Sequence, residues 1–159
     1  MKGALHEEIA GARTAPQASH PLAARLAAGL AAGLLAWPLA ALAGPRDDLL
    51  AGYSSAAKKV DPSFIGFSAS RGDSFHRRAF AGGKAETPAC ASCHSNDPRA
   101  AGRTPTGKRI EPMAVSISAA RYSDPAKVDK WFRRNCQEVL GRECSAQEKG
   151  DWLSFMFSQ

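Results

Sequence analysis

Two thiols three positions apart with an imidazole directly behind them, Cys90-Ala91-Ser92-Cys93-His94, carry the most chemistry in this chain. At Cys-x-x-Cys-His spacing both thiols reach the vinyl groups of one porphyrin and the adjacent imidazole falls on the iron. The pattern predicts a single covalent haem c, attached through Cys90 and Cys93, with His94 as the proximal iron ligand. A zinc site needs two more Cys or His, and Cys136-x7-Cys144 is an uncommon second half for a zinc ribbon. A thioredoxin-like redox pair needs an alternating strand and helix pattern that is absent here. With a haem in place, the function turns on what stands at the sixth coordination position of the iron.

Four residues compete for that position: His76, Met113, Asn135 and Met156. His76 precedes the attachment motif beside Arg77 and Arg78 and reads as a surface histidine. Met156 falls in an apolar stripe of the last helix, where methionine is usually core filling. Pro112-Met113 sits in a loop, as the methionine ligand of electron-transfer cytochromes does, but only 19 residues after His94. Asn135 is a weak donor to iron, and its placement is what argues for it. It shares a helix face with Val128, Trp131 and Phe132, ends that helix, and stands next to Cys136. A cap on the helix C-terminus is the other reading of Asn135.

The elements that must position these groups are short helices separated by long loops, and no segment reads as a strand. Asp47 and Asp48 open a first helix over 47–59, with Leu49, Leu50 and Tyr53 at helical spacing, and Asp61-Pro62 ends it. Ser70 and Asp73 have capping-box spacing and open a second helix to about Phe80. Gly82-Gly83 then releases the chain into the haem motif. From Asn96 to Ala120, Pro98, Gly102, Pro105, Gly107 and Pro112 predict an irregular 25-residue loop, and in a small domain such a loop needs something large to wrap. Asp124-Pro125 pairs an N-cap with proline at the first helical position and starts a helix to about Asn135. Ser145 and Glu148 form a second capping box, opening a terminal helix with Trp152, Phe155 and Met156 as its packing stripe.

The 159 residues carry 21 Lys and Arg against 15 Asp and Glu, a formal charge of +6. The uncharged run from Leu26 to Ala43 follows Arg13 and Arg25 and ends in Ala41-Leu42-Ala43 before Gly44-Pro45. This predicts a secretory signal over 1–43, cleaved after Ala43, and a mature domain over 44–159. Gly29, Gly33 and Pro38 weaken the rival reading of a membrane anchor. Residues 1–25 are long for the start of a signal and contain Glu7 and Glu8, which points to a translation start further along. The leader holds Lys2, Arg13 and Arg25 against those two acids, so the domain stays basic. Its cations, among them Lys58, Lys59, Arg77, Arg78, Lys108, Arg109, Arg133 and Arg134, are scattered without stacking aromatics, which suits an acidic redox partner and not nucleic acid. Export means an oxidising compartment, where Cys136 and Cys144, the two cysteines outside the motif, tend to pair.

Beyond the generic attachment motif, Thr106-Gly107-Lys108, Ile110-Glu111-Pro112, Arg121-Tyr122-Ser123-Asp124, Lys130-Trp131-Phe132-Arg133-Arg134-Asn135-Cys136 and Gly141-Arg142-Glu143-Cys144 resemble the SHP-type monohaem cytochromes c over roughly residues 46–159. The resemblance implies an all-α, class I-like cytochrome c domain wrapped around one haem, with Asn135 as sixth ligand beside a Cys136 to Cys144 disulfide. It further implies that the asparagine leaves on reduction, that the ferrous iron then binds oxygen or nitric oxide, and that a dihaem cytochrome c is the electron donor. Met113 departs from at least some members and keeps a His/Met electron carrier as the competing expectation. An enzyme turning over oxygen or nitric oxide ranks lower, because no distal acid or base is evident. The expectation is a periplasmic protein, not inserted in the membrane once the signal is gone. Lys108, Arg109, Arg133 and Arg134 are the candidates to pair with the propionates or steer a partner.

Overall fold

A computed structural model describes residues 44–159; the expected signal segment and its cleavage point after Ala43 lie outside the described residues. Helix α1 (Pro45–Val60) starts two residues before the acidic pair, because Pro45 takes the first helical position behind an extended Gly44. Asp47 and Asp48 occupy its first turn and Lys58 and Lys59 its last, each at the end the helix dipole favours. Leu49, Tyr53 and Ala57, one turn apart, form its buried face.

Helix α2 (Ala69–Arg77) caps on Ser68, not on the box from Ser70 to Asp73 that the sequence suggests, and it ends short of Phe80. The Ser68 hydroxyl accepts from the Arg71 backbone N–H at 3.3 Å, while Asp73 turns to Arg77 one helical turn on, at 2.6 Å. Helix α3 (Ala91–His94) is a single turn carrying the attachment motif. The long loop that follows is irregular except for one antiparallel pair, β1 (Gly102–Arg103) with β2 (Arg109–Ile110), in register Gly102 to Ile110. Two residues per strand are too few for alternation to show in the sequence, which is why no strand was expected there.

Helix α4 (Pro125–Leu140) starts at the expected Asp124 cap, whose carboxylate accepts from Lys127 N–H at 3.1 Å. It runs five residues past Asn135, because Cys136, Val139 and Leu140 prolong its buried face, and it stops at Gly141 in the left-handed region (φ 72°). Asn135 is therefore an interior helical residue, neither the helix end nor its cap. Helix α5 (Ala146–Phe157) has the predicted capping box: Ser145 Oγ accepts from Glu148 N–H at 3.1 Å, and the Glu148 carboxylate accepts from Ser145 N–H at 2.8 Å.

The core is built on α5, which packs against α1 and α2. Leu153 and Met156 are fully buried, and Trp152 and Phe155 nearly so, which gives Met156 the core-filling role its stripe implies. Helices α2 and α5 meet backbone to backbone, since a Cβ at Gly72 would collide with the Asp151 carbonyl. The buried Asp151 carboxylate locks that crossing by accepting from Ser68 N–H at 2.7 Å and from Arg71 Nε and Nη2 at 2.8 Å each. Tyr53 donates to Asp129 at 2.5 Å and ties α1 to α4. The domain is helical with little strand, and among the described residues no helix is long and apolar enough to cross a membrane.

Candidate functional site

Cys90 immediately precedes α3 and Cys93 lies one turn on, so both sulfurs leave the same side of the turn. The Cys90 carbonyl accepts from the backbone N–H of Cys93 at 3.3 Å and of His94 at 3.1 Å, which fixes the spacing of all three groups. Burial pushes the Cys90 thiol up to about 12 and raises that of Cys93, so both are protonated thiols at neutral pH. Burial above all, and then the neighbouring His76 and Arg121, holds the His94 imidazole down at about 4. It is neutral at pH 7, the state a metal ligand needs.

The turn is stopped abruptly by Ser95, at φ 65° and ψ 156°. This region is nearly exclusive to glycine and costs other residues about 1–3 kcal/mol, so it persists only where surrounding contacts hold it. Ser95 Oγ accepts from Asp97 N–H at 3.2 Å, and the Ser95 carbonyl stands 2.7 Å from His76 Nε2. On the other side, β1 lies directly on the motif. A Cβ at Gly102 would collide with the Cys93 carbonyl and sit 3.0 Å from His94 Cα.

Cys90, Cys93 and His94 open into a cavity of about 1080 Å³, at or above the upper end of the ~300–1,000 Å³ typical of small-molecule sites. Met113 and Tyr122 from the long loop, Val128, Phe132 and Asn135 from α4, and Trp152 from α5 form its walls. Trp152 is the hub of that wall, with ring centroids 5.5 Å from Phe132 and 6.1 Å from Tyr122, both edge to face.

The residues present fit a haem. Three buried side-chain polar atoms lack a hydrogen-bond partner among the described residues: Thr87 Oγ1, His94 Nδ1 and Arg121 Nε. All three residues line this cavity. An unsatisfied buried polar group costs about 1–3 kcal/mol, so three on one apolar-walled space mark a site for a large group that is mainly apolar and carries polar edges. No group of three or more His, Cys, Asp or Glu able to hold a metal ion is found among the described residues, so the cysteine pair has no further protein ligands for a zinc tetrahedron.

Of the four residues weighed for the distal position, Met113 and Asn135 line the cavity, and His76 and Met156 do not. His76 is fully buried, which corrects its reading as a surface histidine. Burial above all holds its imidazole below the usual range, and its two nitrogens engage Trp152 and Ser95. Among the expected cations, Lys108, Arg109 and Arg134 line the cavity and Arg133 does not. Lys84, Arg121 and Lys127 line it without having been foreseen, and so does Thr87. Lys84, Thr87 and Arg121 are isolated loop residues with no periodicity that could have announced them, and Lys127 lies in the first turn of α4, on the polar side of its sequence pattern.

Cys136 and Cys144 are joined by a disulfide, with their Cα atoms 5.6 Å apart. The bond runs from the residue beside Asn135 to the segment that leads into α5. It clamps the second half of α4 at the cavity wall.

A family described as a domain of unknown function, DUF1924, matches residues 62–156. The chain is 41% identical over 121 residues to the cytochrome c-type protein SHP of Cereibacter sphaeroides, covering 75% of this chain and 89% of that protein. It is similar to the structure of oxidized SHP, described as an oxygen binding cytochrome c, with a TM-score of 0.66, 40% identity, and 72% and 96% of the two chains covered. It is also similar to the solution structure of cytochrome c'' from Methylophilus methylotrophus, described as giving insights into the structural basis of haem-ligand detachment. There the TM-score is 0.62 and the identity 32%, over 72% of this chain and 93% of the other.

Proposed function

This chain belongs to the SHP-type cytochromes c, and from that premise we propose that it is an exported electron-accepting cytochrome that binds oxygen or nitric oxide when reduced. One haem c, bound through Cys90 and Cys93, supplies reversible one-electron chemistry and an iron position open to small gas molecules. His94, whose imidazole burial keeps neutral, would hold the iron from the attachment turn. Asn135 would be the residue that holds the iron weakly from the other side, since a neutral amide oxygen suits hard ferric iron better than soft ferrous iron. The disulfide beside it ties the α4 backbone to the segment that leads into α5, so a change at Asn135 would fall on its side chain and not on the helix. Val128, Phe132 and Trp152 supply apolar wall to the cavity. Lys108, Arg109 and Arg134, with Lys84, Arg121 and Lys127, supply cations for the propionates and for an acidic donor surface, which the resemblance names as a dihaem cytochrome c. The expected signal segment and the Cys136 to Cys144 disulfide both favour the periplasm.

The observation that carries this reading is that Asn135 lines the same cavity as His94, from an interior helical position next to the disulfide. An oxygen-binding relative and a relative described through haem-ligand detachment support it. The test is Asn135→Ala in the haem-loaded protein. A changed ferric absorption and paramagnetic resonance spectrum, with gas binding to the reduced form retained or faster, is the expected result. An unchanged ferric spectrum removes Asn135 from the iron. Met113, which lines the same cavity, carries the second reading of a His/Met electron carrier. Low-spin His/Met iron in the wild type, together with failure of carbon monoxide to bind the reduced form, would establish that reading instead.

A further inference from the structure

His76 is the only histidine among the described residues besides His94, and nothing in the proposed chemistry uses it. It is 0% exposed, on the buried face of α2 with Gly72 and Phe75, although the exposed Arg77 and Arg78 follow it directly. Both ring nitrogens are engaged. The Trp152 indole N–H donates to Nδ1 at 3.1 Å, and an indole nitrogen can only donate, so Nδ1 is the acceptor. The proton is then on Nε2, which donates to the Ser95 carbonyl at 2.7 Å. Hydrogen bonding alone thus fixes the tautomer as well as the ring orientation. The Trp152 and Phe155 rings, with centroids 6.2 and 5.8 Å away, pack the imidazole from α5.

Ser95 directly follows His94 and holds a backbone conformation that serine rarely adopts. A peptide bent this way relaxes unless its carbonyl is held, and His76 holds it. The same donor system begins at Trp152, which lines the cavity.

We propose that His76 is a positioning residue for the proximal ligand: through its hydrogen bond to the Ser95 carbonyl it fixes the turn after His94, and so the rotational setting of the His94 imidazole against the haem. Trp152 supports it by locking the tautomer that can make that bond. This rests on the reading of His94 as the iron ligand.

The test uses two amide replacements, each of which keeps one of the two hydrogen bonds. In His76→Gln the side-chain amide N–H stands where Nε2 stood and still donates to Ser95. In His76→Asn the side-chain oxygen stands where Nδ1 stood and still accepts from Trp152, but the bond to Ser95 is lost. Each variant is prepared with haem, and the ferric proton NMR shifts of the haem methyl groups, which respond to the axial imidazole plane, are recorded with the reduction midpoint and the urea unfolding midpoint. The Gln variant is expected to keep the wild-type methyl pattern and reduction midpoint, while the Asn variant shifts both, even where the two are equally stable to urea. If the Gln and Asn variants give the same methyl pattern, His76 serves packing alone and the proposal is overturned. His94→Ala tests the underlying reading separately. Retention of the wild-type ferric spectrum in that variant removes His94 from the iron and overturns both readings, whereas loss of that spectrum with identical Gln and Asn patterns overturns only the role of His76.

Discussion

The Tyr122 hydroxyl donates to the carbonyl oxygen of Met113 at 2.8 Å, and both residues are buried at the cavity wall. The Met113 backbone N–H donates in turn to the Pro98 carbonyl at 2.8 Å. Met113 is thus held at both ends of its peptide, on a loop braced by a tyrosine that itself sits at a positive φ of 68°. Removing the hydroxyl by Tyr122→Phe leaves a buried carbonyl unpaired and should cost about 1–3 kcal/mol, read as a lower urea midpoint with an unchanged slope. The companion change Met113→Leu preserves volume and should leave the ferric spectrum as it was. A spectrum altered by that change would place sulfur on the iron.

Opening the disulfide with Cys136→Ser and Cys144→Ser together releases a loop whose ends are eight residues apart in sequence. Loop-closure entropy predicts a loss of about 2–3 kcal/mol in stability. If the bond also clamps the α4 backbone beside Asn135, the variant should show a heterogeneous ferric spectrum under conditions where it is still fully folded by circular dichroism.

Acid should weaken the cap of α5 specifically. Burial acts to raise the Glu148 carboxyl, but hydrogen bonds from Arg142 and from the Ser145 backbone outweigh it and hold the group below the usual carboxylate range. A carboxylate depressed in the folded state adds stability that is fully present above its unfolded value of about 4.3 and is lost as pH falls through the folded value. Glu148→Gln should therefore be less stable than wild type at pH 7, by about 1 kcal/mol after allowance for the exposed Arg142 partner. That gap should begin to narrow below about pH 4.3 and close as pH falls through the lower, folded value. A gap that stayed constant with pH would assign the effect to packing.

Gly102→Ala inserts a methyl group where the Cys93 carbonyl stands. Backbone cannot yield as a flexible side chain does, so β1 or the attachment turn has to move. The expected cost is about 1–3 kcal/mol, as for other overpacked sites, with a lower yield of haem-loaded protein. Gly52→Ala, where a Cβ meets nothing within 4 Å, is the matched control and should be neutral or slightly stabilising.

Features whose cause is local were legible in the sequence. The attachment motif is fixed by the geometry of one turn, and Asp124-Pro125 and Ser145 with Glu148 announce α4 and α5 because an N-cap bonds within three residues of itself. What escaped was decided by distant partners. Two serines could open α2, and Ser68 takes the role because Asp151, 83 positions away, accepts its backbone N–H. His76 looks exposed ahead of two arginines, yet its hydrogen-bond partners lie 19 and 76 positions away. Asn135 looks terminal because Gln137 and Glu138 interrupt the apolar pattern, while Val139 and Leu140 resume it on the buried face. The polar contacts of the cavity, Thr87 and Arg121, sit in loops whose course only the packed domain reveals.

The α5 helix, whose Trp152 lines the cavity onto which the attachment turn opens, begins more than fifty positions downstream of that turn. If the chain is exported N-terminus first, the thiols of Cys90 and Cys93 emerge before that wall exists. Contacts between distant segments form slowly because the loop between them must close first. For an exported chain, this topology would leave the cysteines open to modification before Trp152 completes the wall of their cavity.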